Sequence, residues 1–161
     1  MIQTDLAIGL INPKFPHNVG AAVRAASCYG ASHLFYTGDR IDEALVELKR
    51  LPREERMKGY RDVKWQRQEK FLELFDADIV PVAVELRPQA ETLFDFVHPP
   101  RAVYIFGPED GSLEPGILAS CHRFIVIPTA HCLNLAAAVN VVLYDRTLKQ
   151  HLSKNGLAWW S

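Results

Sequence analysis

Short apolar runs separated by polar, Gly- or Pro-containing breaks recur along this chain, and their periods alternate between strand-like and helix-like. Residues 6–11 (LAIGLI) form a continuous apolar run closed by Asn12-Pro13, which predicts a buried strand. Asn18 is placed to cap a helix through VGAAVRAASCYG that Gly30 ends. Residues 33–36 predict a second strand, and residues 42–51 (DEALVELKRL) a helix whose acids come first and bases last, as the helix dipole favours. A strand near 63–65 and a helix around 68–75 follow. Residues 79–86 (IVPVAVEL), 102–106 (AVYIF) and 123–127 (RFIVI) are β-branched or aromatic runs and predict three more strands. The last long element, from Leu133 to about Lys154, reads as a helix that stops at Asn155-Gly156.

Strands alternating with helices predict an α/β fold with a mostly parallel sheet and helices on both faces. With 161 residues and no internal repeat or linker, residues 1–161 read as one domain. Ligands of such sheets bind beyond the carboxyl ends of the strands. Three loops occupy that end: residues 12–18, 107–114 and 128–134.

Composition narrows the function classes. At 48% apolar and 23% charged the chain can bury a core, which excludes disorder and coiled coil. No apolar run approaches the ~20 residues of a membrane span, and the start MIQTDLAIGLINPKF has no basic leader, so a cytoplasmic protein is expected. Cys28, Cys121 and Cys132 are an odd number without CxxC spacing and read as free thiols. Cys121-His122 and His131-Cys132 are adjacent pairs, poorly placed for a tetrahedral site, so no metal is expected. The GxGxxG and GxxxxGK[ST] patterns are absent, which argues against dinucleotide and P-loop enzymes.

Charge is unevenly spread. Residues 49–70 hold nine Lys or Arg against four Asp or Glu, so this stretch is +5 while the remainder, with nine and fifteen, is −6. The stretch is either a solvated helix face or a phosphate-binding surface with Tyr60 and Trp65 among its bases. The loops are equally open to two readings. Asn18 and Arg24 are a cap and a surface cation, or a polar pair at a helix start that suits a phosphate. Glu109 is a turn acid, or part of a ligand site beside Gly107, where the backbone can come close. Asn134 leads into an almost wholly apolar helix.

Together, in this order and spacing, the loops resemble the motifs of the SPOUT class of RNA methyltransferases, specifically the TrmH-like (SpoU) family of ribose 2′-O-methyltransferases. Asn18-Val19-Gly20 with Arg24 matches the first motif. Ile105-Phe106-Gly107-Pro108-Glu109, followed by Gly111, matches the second. Ile127-Pro128 and Leu133-Asn134-Leu135 through Tyr144 match the third. The resemblance runs from Leu6 to about Gln150. One departure stands out: Cys132 occupies the position of the family's Ser, where a thiol hydrogen-bonds more weakly than a hydroxyl.

The resemblance implies a C-terminal deep trefoil knot that holds S-adenosylmethionine at Val84, Glu85, Gly107, Glu109, Ile127, Cys132 and Leu133. It implies catalysis through Arg24, with Asn18, Glu109 and Asn134 orienting it and the ribose. The family assigns the Arg as the base, but a guanidinium is effectively always protonated, so Arg24 is expected to bind a phosphate and stabilise developing alkoxide. The chain's length resembles the minimal single-domain members, which methylate the wobble-position ribose of the tRNA anticodon loop. Ribosomal RNA is the alternative substrate, and an RNA-binding module with impaired catalysis is the alternative function. RNA contact is expected from Arg24 and from Arg53, Arg56, Lys58, Arg61 and Lys64. A homodimer is expected on separate grounds. In residues 133–145 ten of thirteen side chains are apolar, and Asn134 and Asn140 lie about 240° apart around the helix, so no polar face exists.

Overall fold

The computed structural model describes residues 1–49 and 60–155. Strand β1 (Leu6–Leu10) leads to helix α1 (Pro16–Cys28), β2 (His33–Tyr36) and α2 (Arg40–Leu48). Then come β3 (Lys64–Arg67), β4 (Val80–Val84), the two-residue β5 (Glu91–Thr92) and β6 (Ala102–Phe106). Helix α3 (Pro115–Ala119), β7 (Arg123–Val126) and α4 (Leu135–Asn155) complete the order. The strands form one parallel sheet in the order β3-β2-β1-β6-β4-β7-β5. β7 lies between β4 and β5, so the link from β4 to β5 crosses the position that β7 takes later in the chain.

Two-residue alternation along each strand splits the core into two layers. Leu6, Ile8, Leu10, Tyr104 and Phe106 face α1, α2 and α4, where they meet Val19, Val23, Ile41, Val139 and Leu143. Ala7, Phe35, Val103 and Ile105 face the other way, onto Phe71, Phe75, Leu113 and Cys121. On that side Gly9 leaves room for an aromatic ring: a Cβ there would lie 2.5 Å from Phe71 Cζ.

The strands at 33–36 and 102–106 have the expected bounds, β1, β3, β4 and β7 differ by a residue or two, and the two-residue β5 is not expected from the sequence. Three helices differ for identifiable reasons. Asn18 is not the cap of α1, which begins two residues earlier at Pro16, because a proline at the first helical position brings the required φ. α2 likewise starts at Arg40 rather than Asp42 and is closed by left-handed Lys49 (φ 60°); the remainder of the expected helix, to residue 51, lies outside the described residues. The helix expected at 68–75 is a single 3-10 turn, Phe71–Leu74, because Phe75 turns extended and bridges Ile2.

A buried polar brace ties α4 to the segment before β6. Arg146, 4% exposed, donates to the carbonyls of Pro99 (2.6 Å) and Pro100 (2.7 Å). His98 Nε2 meets Asp145 Oδ2 at 2.7 Å, and its Nδ1 meets the Tyr104 hydroxyl at 2.6 Å. With Asp145 accepting at Nε2, the Tyr104 O–H donates to Nδ1. Lys149 pairs with Asp145 (2.8 Å) and donates to the Phe96 carbonyl. Burial pulls the His98 pKa below its ordinary 6.5, outweighing the opposite pull of Asp145.

Candidate functional site

The order β1-β6-β4-β7 makes neighbours of the strand ends that carry all three loops. Glu109, in the turn after β6, reaches across to the loop after β1. Its Oε2 accepts the Lys14 N–H (2.8 Å), and its Oε1 accepts the Phe15 N–H (3.4 Å) and Asn18 Nδ2 (2.7 Å). Asn18, 2% exposed in the first turn of α1, accepts Asn134 Nδ2 on its Oδ1 at 2.9 Å. Asn134 Oδ1 then caps α4 by accepting the N–H groups of Ala136 (2.9 Å) and Ala137 (3.3 Å).

Residues 91 and 116 positions apart thus form one hydrogen-bonded chain with a fixed direction. An ionised carboxylate can only accept and helix N–H groups can only donate, so both intervening amides have one possible orientation. The chain ties the three loops into one rigid site.

Around it, Lys14 and Arg40 converge on Asp110. The Arg40 guanidinium makes two bonds to that carboxylate (3.1 and 2.8 Å), and Lys14 Nζ lies 3.5 Å away. These cations hold the Asp110 carboxyl below the usual carboxylate range. Glu85, after β4, accepts the Leu113 N–H (2.9 Å) and so fixes the far side of the loop after Gly107. Val84 and Ile127 pack against the core at the ends of β4 and β7, while Cys132 and Leu133 are exposed in the third loop. A Cβ at Gly107 would be in ordinary contact with the Leu113 nitrogen, 3.4 Å away.

Arg24 does not join this group. It is exposed on α1 and makes no hydrogen bond or ion pair with any described residue; the expected orienting contacts from Asn18, Glu109 and Asn134 are absent, since those three bond one another. Six residues along a helix turn a side chain about 120° from the starting azimuth, so Asn18 faces inward and Arg24 outward. α1 and α4 pack together, and their outer sides carry His17, Arg24 and Cys28 on one helix and Ala137, Val141 and Tyr144 on the other, all exposed. The apolar helix is therefore covered on one side only. Val141 is 37% and Tyr144 56% exposed.

Of the basic stretch, Arg61 and Lys64 are exposed, whereas Arg67 is held by Asp42 (3.1 Å) and Glu69 (2.8 Å). Trp65 is half-buried and stacks on Tyr36 at 6.0 Å rather than standing free. The expected contacts at Arg53, Arg56, Lys58 and the Tyr60 side chain lie outside the described residues. Among the described residues no three His, Cys, Asp or Glu side chains are grouped to hold a metal, and no helix is long and apolar enough to cross a membrane. Sequence patterns also passed over Phe15, 41% exposed on the rim of this site. Its one signal was an aromatic residue among Pro13, Lys14 and Pro16, where a turn needs no ring.

The model of the SpoU rRNA Methylase family matches residues 5–144. No curated protein matches. Among solved structures, the SpoU methyltransferase AviRb from Streptomyces viridochromogenes, in complex with AdoMet, is similar with a TM-score of 0.70 at 20% identity, over 93% of this chain and 60% of that one. The A. aeolicus TrmH/SpoU tRNA modifying enzyme gives 0.69 at 22% identity, over 96% and 79%. A structure described as giving insights into 2-OH methylation of the C or U at position 34 of tRNA gives 0.72 at 25% identity, over 90% of both chains. This chain thus spans about three fifths of the AviRb chain and nearly all of the last.

Proposed function

Because this chain belongs to the SpoU rRNA methylase family, we propose that it transfers a methyl group from S-adenosylmethionine to a ribose 2′-hydroxyl of RNA, with the wobble position of a tRNA anticodon loop as substrate. The observation that carries the reading is the Glu109–Asn18–Asn134 chain, which holds all three motif loops at one end of the sheet. The 90% two-way overlap with a protein solved for tRNA methylation supports tRNA over ribosomal RNA.

The cofactor fits the loops at the ends of β4, β6 and β7. The residues assigned to it are main-chain groups and apolar side chains at Val84, Gly107, Ile127 and Leu133, together with Cys132, while Glu85 and Glu109 hold the neighbouring backbone in place. With no side chain of its own, Gly107 lets the backbone come close to an adenosine. Bound there, S-adenosylmethionine supplies an activated methyl group. The chain's own residues position the ribose and stabilise the oxygen that attacks. Arg24 serves this second task as a phosphate and alkoxide ligand, since a guanidinium offers a planar fork of donors and no acceptor.

Arg24 stands apart from the loop chain within one protomer, and the apolar outer side of α4 beside it is open. A homodimer that packs α1 and α4 across a two-fold axis covers that side and brings one subunit's Arg24 and basic stretch to the other's cofactor loops. The placement of β7 between β4 and β5 supports a trefoil knot, with the later strand threaded under the earlier crossing.

The test is methyl transfer from labelled cofactor to RNA from cells lacking the protein, with the product located by mass spectrometry of nuclease digests. One 2′-O-methyl group in tRNA is the expected result. A methyl group found only in ribosomal RNA would replace tRNA as substrate, and none in either would leave an RNA-binding module in place of an enzyme.

A further inference from the structure

Phe15 occupies the N-cap of α1, a position that Ser, Thr, Asp or Asn normally fills because a side-chain oxygen there satisfies a free N–H. Phe15 makes no such bond. The following Pro16 holds it extended (φ −111°, ψ 121°), and its ring belongs to neither core layer. A large apolar side chain is thus left 41% exposed at the start of a helix.

Its backbone, by contrast, is firmly held. The N–H groups of Lys14 and Phe15 bond Glu109, and the Phe15 carbonyl accepts the N–H groups of Asn18 (3.0 Å) and Val19 (3.3 Å). The His17 ring lies beside the Phe15 ring, with centroids 5.5 Å apart and planes 25° from parallel. Lys14 Nζ sits over the Phe15 ring, 5.3 Å from its centroid and 3.5 Å from Asp110. That exposed lysine can move off the ring, so two near-parallel rings with a cation at hand offer what an unpaired base with its phosphate needs: a flat face to stack on and a charge nearby.

We propose that Phe15, flanked by His17, is a stacking platform for an unpaired base of the RNA that enters this site. The inference rests on the RNA reading above and adds a specificity-determining residue to it. The platform selects unpaired over duplex RNA, because a base inside a helix has no free face to offer. Glu109 and Asn18 act on it as positioning residues, since they hold the loop on which the ring stands.

The experiment compares the full chain with Phe15→Ala, Phe15→Trp and Lys14→Ala in binding an RNA stem-loop, the same stem-loop with single abasic loop positions, and a loop-free duplex. Phe15→Ala is expected to weaken stem-loop binding roughly tenfold, to raise KM for RNA more than it lowers kcat, and to leave duplex and cofactor binding unchanged. Its affinity should keep the wild-type dependence on salt, whereas Lys14→Ala should lower the slope of log K against log salt by about one. Phe15→Trp should restore binding, with indole fluorescence quenched by the stem-loop. One abasic position should abolish the difference between wild type and Phe15→Ala.

Wild-type-like stem-loop binding by Phe15→Ala would overturn the proposal, as would an equal loss on duplex or at every abasic position. Failure of the wild type to bind any RNA would do the same. Binding and quenching need no turnover. If the stem-loop results hold but no methyl is transferred, the methyltransferase reading falls and the platform stands.

Discussion

Asn134→Asp separates two jobs that one side chain performs. Asn134 Oδ1 caps α4, while Nδ2 donates to Asn18 Oδ1 at 2.9 Å. An aspartate keeps the cap and gains about 0.3–1 kcal/mol from the helix dipole, but it has no donor. Asn18 Oδ1, on a residue 2% exposed, then faces a carboxylate oxygen. Rotating the Asn18 amide only moves the conflict, because its oxygen would then meet Glu109, which also only accepts. The lost bond and the unsatisfied buried acceptor together cost about 1.5–3 kcal/mol, leaving a net loss of about 0.5–2.7 kcal/mol after the dipole gain. For a chain of this size that lowers the thermal midpoint by roughly 1–11 °C, and displacement of the loops should slow methyl transfer by roughly a hundredfold. Adding Glu109→Gln supplies a donor at the other end, so Asn18 can turn over and the chain of bonds can run in reverse, at the loss of the long 3.4 Å bond from the Phe15 N–H to the same Glu109 oxygen. Calorimetric melting should therefore show the double variant no less stable than Asn134→Asp alone. Additive losses, or a single variant that melts with the wild type, would refute the argument from hydrogen-bond direction.

Arg24→Ala should abolish turnover and leave calorimetric binding of S-adenosylmethionine nearly intact, with Arg24→Lys also poor because a point charge does not reproduce a planar fork; most activity retained in either would show the role misassigned. Cys132→Ser should keep or improve activity. Alkylation of exposed Cys132 should inactivate unless cofactor is present, while buried Cys121, whose thiol burial pushes up to about 11, stays unmodified; mass mapping of labelled thiols checks both. Sedimentation equilibrium at micromolar concentration should give twice the 18.2 kDa chain mass, and an active monomer would remove the dimer together with the shared site. Because the buried His98 has its pKa pulled below 6.5, the unfolded chain takes up that proton first as pH falls. Its contribution to stability is therefore full above about pH 6.5 and declines below it. The urea midpoint should fall between pH 7.5 and 5.5 by less in His98→Gln than in wild type; an equal fall would assign the effect elsewhere, with His33, also pulled down by burial, the first alternative.

The alternation of strand and helix, the strands at 33–36 and 102–106, and the three loops that form the site were legible in the chain itself. Each rests on information local to a few residues: a period of two or 3.6, a β-branched run, a Gly or Pro break. Even the motif residues could be named, because Asn18, Glu109 and Asn134 stand at the ends of such elements. Their use was not legible. Local pattern made Asn18 a cap and Asn134 a mere leader of a helix, whereas the fold caps α4 with Asn134 and directs Asn18 inward to join Glu109 with it. It also turned Arg24 away from all three. Which residues meet depends on which strand ends lie side by side. The order β3-β2-β1-β6-β4-β7-β5 is set by how whole elements pack, so contacts across 91 and 116 residues exist only once the sheet is assembled. The exposure of Phe15 has the same origin: its backbone is fixed by a carboxylate ninety-four residues away, and no stretch of chain around it carries that information.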